Sequence, residues 1–156
     1  MVNRLFDRVL ISLAWVAAAI VVYLAVSVDF EVIMRYFFNR PTSWTVDFAE
    51  YALIYILFLG AAWVLSREGH VKIDFLLRAL STRVQRVVNI ITSLVGAGAC
   101  GVFFWFSLRQ TWEAFLAGDL IFRAMVVPKW PIFMIMPIGS LFLTLQFLRS
   151  AWRSLR

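Results

Sequence analysis

Four long apolar runs without one charged side chain set the limits on what this sequence can become. They cover residues 9–28, 51–66, 87–108 and 130–148, and hold 20, 16, 22 and 19 residues. A helix needs roughly 20 apolar residues to cross about 30 Å of hydrocarbon. The second run reaches that length once Phe48, Ala49 and an interfacial Glu50 are added, giving a span over 48–66. Lipid offers no hydrogen bonds to a backbone, so single runs of this length cross it as helices. The expected fold is an all-α integral membrane protein: one domain, residues 1–156, with four transmembrane helices.

Composition agrees. Hydrophobic residues make up 63% of the chain and mean hydropathy is +0.86, values of a lipid-solvated bundle rather than a globular core. Four spans and short connections occupy nearly all 156 residues. A net charge of +6 would suit nucleic acid, but the basic residues are scattered at span ends and form no face that tracks phosphates. Nucleic-acid binding is excluded. Cys100 is the single cysteine and His70 the single histidine, too few for a disulfide, a thiolate metal site or a bis-histidine haem. No cofactor is expected in this chain.

Arg4 and Arg8 ahead of Ala17-Ala18-Ala19 have the look of a secretory signal. The apolar core of a cleaved signal is about 7–15 residues, so an uncleaved first span is expected. With the N-terminus inside, cytoplasmic segments carry ten basic residues and outer segments five. The positive-inside rule then predicts both termini in the cytoplasm.

Local signals refine the picture. Glu31, Arg35 and Asn39 share a helical face beyond the first run. Pro41 predicts a helix end at or before Asn39. Ser43 is the expected N-cap of the second helix, Trp44 an interfacial anchor, and Asp47 and Glu50 favour the positive end of its dipole. After Gly69, Ile73, Leu76, Leu77 and Leu80 form one apolar face, predicting an amphipathic helix over 71–80, flat on the cytoplasmic surface. In the third run Gly96 with Cys100, and Ala97 with Gly101, are small-xxx-small pairs suited to close helix contact, as is Gly60 in the second. Arg109 and Glu113 pair at i, i+4, and the third helix is expected to last until Gly118.

Chemistry has little to work with. Carriers of charged solutes place ionisable groups or broken helices near the midplane, and the buried polar residues here, such as Asn89, Thr92 and Ser140, suit local backbone bonds. No nucleophile–base pair can be assembled, so an enzyme is not expected. Glu50 is open to two readings: a proton-coupling acid in a self-contained homo-oligomeric small carrier, or an interfacial acid near a helix start. His70 is either a pH sensor or a loop histidine held locally.

The hairpin reads RYFFNRPTSWTVD, then an apolar helix with Gly60-Ala61-Ala62, then REGHVKID. A later Val127-Pro128-x-Trp130-Pro131, followed by Pro137-x-Gly139, extends the pattern. Together these resemble the small membrane subunit, the Q component, of tripartite ATP-independent periplasmic (TRAP) transporters. Arg35, Pro41, Trp44, Asp47, Arg67, His70 and Asp74 match positions of that pattern. Val46 departs from it, standing where relatives often have a first acidic residue. The resemblance implies a non-catalytic scaffold subunit in a bacterial or archaeal inner membrane. It would join a large multi-span permease subunit that holds substrate and sodium, served by a periplasmic substrate-binding protein. The cargo would be an organic acid such as a C4-dicarboxylate or sialic acid. Arg35, Trp44, Asp47 and Glu50 are then expected as an outer cluster that fixes the hairpin or contacts partners. Arg67, His70, Lys72 and Asp74 are expected to orient the flat helix at the inner surface against membrane phospholipid.

Overall fold

The computed structural model describes residues 2–67, 82–123 and 126–155. Within these residues lie four helices, α1 (Val2–Phe38), α2 (Ser43–Ser66), α3 (Thr82–Ala117) and α4 (Lys129–Leu155). Each is long and apolar enough to cross a membrane, so the chain is a four-span, all-α, multi-pass membrane protein. The helices outlast the apolar runs because the flanking residues keep helical spacing. α1 and α3 extend to 37 and 36 residues.

One element was not expected. Between α3 and α4, β1 (Leu120–Phe122) and β2 (Val126–Pro128) pair as an antiparallel hairpin, with Leu120 opposite Pro128 and Phe122 opposite Val126. Its base is pinned by the Lys129 N–H donating to the Asp119 carbonyl at 3.0 Å, and by Lys129 Nζ 3.6 Å from Asp119 Oδ2.

Helix ends follow their residues. Asn39 takes a left-handed φ of 53° just past α1, and the Arg40 N–H reaches back to the Met34 carbonyl at 3.1 Å. Gly118, at φ 64°, ends α3. Its N–H bonds the Phe115 carbonyl and that of Asp119 the Ala114 carbonyl, both at 3.3 Å. This double closure needs a left-handed residue, which glycine supplies without steric cost. The second helix corrects the sequence reading by one residue. Thr42, not Ser43, is the N-cap, with extended φ and ψ and no side-chain cap bond. The Thr42 hydroxyl instead meets that of Thr45 at 2.8 Å. Pro131 lies in the first turn of α4, where its missing N–H costs nothing, and Pro137 lies inside an unbroken helix.

α4 is the hub. It packs on α3 and on α2, while α1 packs chiefly on α2. A third of the α4 span is buried, against 11% for α1 and α3. Ala17, Leu59 and Ile135 form the seam joining α1, α2 and α4. Phe58 and Phe103 stack with ring centroids 5.7 Å apart, and the Tyr55 hydroxyl donates to the Pro131 carbonyl at 2.7 Å. Most remaining large apolar side chains face outward, among them Trp15, Val22, Val95, Trp105 and Phe106. Surfaces of that kind suit lipid or another membrane helix.

The amphipathic helix expected over 71–80 lies outside the described residues.

Candidate functional site

Among the described residues, the ion pairs gather toward the two ends of the bundle. The hairpin end holds the C-terminus of α1, the N-terminus of α2 and the β-hairpin. There Arg123, in the turn between β1 and β2, reaches across to α2. Its Nη1 lies 2.6 Å from Glu50 Oε2 and 3.6 Å from Asp47 Oδ1. The two acids stand three residues apart on α2, one turn of one face, so a single guanidinium meets both. The pairing raises the Arg123 pKa, first through the Glu50 hydrogen bond and then through its charge, with Asp47 adding less.

Arg35 belongs to a separate pair. Its Nε donates to Glu31 Oε1 at 2.8 Å within α1, and Glu31 is buried while Arg35 is half exposed. Trp44 packs edge-on against Phe48, ring centroids 6.0 Å apart. The expected outer cluster therefore divides in two: Asp47 and Glu50 joined by Arg123, and Arg35 held by Glu31. Arg123 is absent from the residues singled out by sequence. Nothing in local spacing could name it, because it lies 73 positions from Glu50. Arg109 and Glu113 form the expected pair, at 2.7 Å.

The opposite end gathers the start of α1 and the ends of α2 and α4. Arg149 forms a two-pronged pair with Asp7, and its guanidinium lies over the Phe6 ring. Arg67 caps α2 and sits over Trp63, 5.7 Å from the ring centroid. His70, Lys72 and Asp74 lie outside the described residues.

Of the small residues, Gly96 faces α4 so closely that a Cβ would meet the Phe147 ring at 2.8 Å. Gly101 faces Thr144 at ordinary contact, 3.9 Å. Cys100 is half-buried between them. Gly60 faces no described atom within 4 Å, and a different glycine makes the tight contact with α2. Gly139 lies against the Phe58 backbone. Among the described residues no three His, Cys, Asp or Glu side chains converge as a metal site. The described ion pairs all lie toward helix ends, leaving the middle of the bundle to apolar side chains and hydroxyls bonded to their own helices, such as Ser140 to Met136.

Among the described residues, the ion pairs thus leave a charge-free interior between two polar ends. The family model described as "Tripartite ATP-independent periplasmic transporters, DctQ component" matches residues 24–156. The chain belongs to the DctQ family. Among relatives, this DctQ-family chain is 28% identical over 121 residues to the C4-dicarboxylate TRAP transporter small permease protein DctQ of Pseudomonas aeruginosa, covering 75% of this chain and 57% of that protein. It is 26% identical over 149 residues to the protein of the same name in Vibrio cholerae, covering 79% and 62%. It is also 22% identical over 120 residues to the sialic acid TRAP transporter permease protein SiaT of Haemophilus influenzae, covering 77% of this chain and 19% of that one. The matches thus span less than two thirds of each of these relatives.

Proposed function

We propose that this chain is the non-catalytic scaffold subunit of a TRAP importer of organic acids. In this reading it assembles with a large permease subunit that carries the substrate and sodium sites, and a periplasmic binding protein delivers the cargo. The observation that carries the reading is the placement of charge. The described ionic groups lie toward the ends, where they orient helices, and none lies mid-bundle where an anion or a coupling ion would be gripped. The outward apolar faces of α1 and α3 supply surface for a second membrane subunit. The cargo class rests on the names of relatives, which include a C4-dicarboxylate and a sialic acid transporter protein.

Both termini are assigned to the cytoplasm, from the ten-to-five distribution of basic residues. The Arg123–Asp47–Glu50 cluster then faces the periplasm with Arg35 and Trp44, where it fixes the hairpin and borders the partner surfaces. Residues 71–80, with His70, Lys72 and Asp74, are assigned to the cytoplasmic interface. The competing reading, a homo-oligomeric carrier coupled through Glu50, is weakened by the 2.6 Å contact with Arg123, which commits that carboxylate to a structural partner.

The test is reconstitution. A tagged chain isolated from its native membrane should bring down a large multi-span permease. In liposomes, sodium-driven uptake of a C4-dicarboxylate or sialic acid should require that permease and the binding protein. Uptake by this chain alone, abolished by Glu50→Gln, would reverse the assignment.

A further inference from the structure

At the end opposite the hairpin, α1, α2 and α4 enclose a polar cavity of about 240 Å3. Asp7, Ser66, Arg67, Gln146, Arg149 and Arg153 line it. Three guanidinium groups against one carboxylate leave an excess of positive charge. Arg149 is taken up by Asp7, whereas neither Arg67 nor Arg153 is in an ion pair among the described residues.

Two side chains that line this cavity each carry a buried polar atom without a partner among the described residues. Gln146 is 3% exposed, and its Oε1 has no hydrogen-bond partner among the described residues. The same holds for the buried Nε of Arg149 one helical turn further on. Buried polar atoms rarely go unsatisfied, because each costs its full desolvation. A small rotation of the Arg149 side chain would present its Nε–H to an anionic oxygen in the cavity. The Gln146 amide, whose two ends exchange by a half-turn, can offer it an N–H as well.

Position in the membrane narrows the anion. Asp7 stands two residues before the first apolar run, and Arg67 and Arg149 each follow the last residue of a run. All three sit where hydrocarbon gives way to headgroups. Ile11 and Trp63 form the apolar margin of the cavity, where acyl chains would leave. The volume is below the roughly 300–1,000 Å3 that houses a drug-sized ligand, and suits a headgroup. Guanidinium forks match phosphate oxygens in pairs, and basic pockets between membrane helices are a known means of headgroup recognition.

We propose that this cavity binds the phosphodiester headgroup of a glycerophospholipid from the adjoining leaflet. The site is independent of the assembly role above. Free phosphate shares the chemistry, but the interfacial level and the apolar margin favour lipid.

Native mass spectrometry of the full chain in mild detergent, titrated with phosphatidylglycerol, tests this. One lipid should bind saturably. Arg67→Gln with Arg153→Gln should weaken it by about tenfold or more, the loss expected when charge-assisted bonds are removed. Arg86→Gln, a basic residue elsewhere near the membrane surface, should leave binding unchanged. Should the double variant misfold, Ser66→Leu fills the cavity without removing charge and should lower affinity likewise. Binding unaffected by both changes would overturn the proposal. So would saturable binding of inorganic phosphate through Arg67 and Arg153 with none of the lipid. A map of the assembled transporter with a partner side chain in the cavity would do the same.

Discussion

Gly139 of α4 lies against the backbone of Phe58 on α2 so closely that a Cβ at 139 would stand 2.6 Å from the Phe58 carbonyl oxygen. Backbone cannot rotate aside as a side chain can. Gly139→Ala should therefore separate the two helices and cost about 1–3 kcal/mol, the range for overpacking. Thermal unfolding in detergent should show it. Gly96→Ala meets the Phe147 ring, a side chain that can turn aside, and should cost less, and Gly60→Ala should be close to neutral.

Arg123→Gln should release the hairpin from α2. Hydrogen exchange over residues 120–128 should quicken, with α3 and α4 unchanged. Glu50→Gln should reproduce most of the effect and Asp47→Asn a smaller part, following the 2.6 and 3.6 Å contacts. Added salt should act in the same direction, since Arg123 is half exposed.

The pH dependence of that contact follows from the raised Arg123 pKa. For a cation whose pKa rises on folding, the stabilisation is complete below the ordinary value and is lost only as pH climbs through the raised one. A guanidinium ordinarily keeps its proton far above neutral pH, and this contact moves its pKa further up. Alkaline titration up to about pH 11 should leave hairpin exchange protection unchanged by this group.

Asp7→Asn should weaken the junction of α1 with α4 by more than a surface ion pair's roughly 0–1 kcal/mol. The Arg149 side chain is only 14% exposed, so its charge would lose its partner while still largely buried. A cost of about 1–3 kcal/mol is expected, read from unfolding midpoints. Arg149→Met removes the charge together with its need for a partner and should cost less than its position suggests.

Tyr55→Phe should remove the single hydroxyl bridge from α2 to the Pro131 carbonyl. Hydrogen bonds between membrane helices average about 0.6 kcal/mol, so a small drop in thermal stability is expected, with the fold retained.

The helices were legible because charge-free length is a signal carried by each segment alone. The stops at Asn39 and Gly118 were legible for the same reason, as each depends on one residue's backbone preference. The hairpin was not. Three-residue strands are too short for alternation to register, and Leu-Ile-Phe before Arg123 reads as readily as helix. Contacts between distant segments were equally hidden: Arg123 with Glu50, Asp7 with Arg149, and Gly139 with Phe58 are set by which helices become neighbours. Small-residue spacing named Gly96 and Gly101, both of which face α4, whereas Gly60, taken as a packing candidate for its size, faces no described atom within 4 Å. The motif shows where a close approach is permitted, without showing which helix arrives.

α1 runs unbroken for 37 residues, about 55 Å of rod against a hydrocarbon slab roughly 30 Å deep. Nearly half of it must either lean within the bilayer or stand clear of it in water. A rod continuous through that boundary transmits a push at one tip to the other without a hinge to absorb it. Whatever grips the aqueous tip of α1 gains a handle on the packing of α1 against α2.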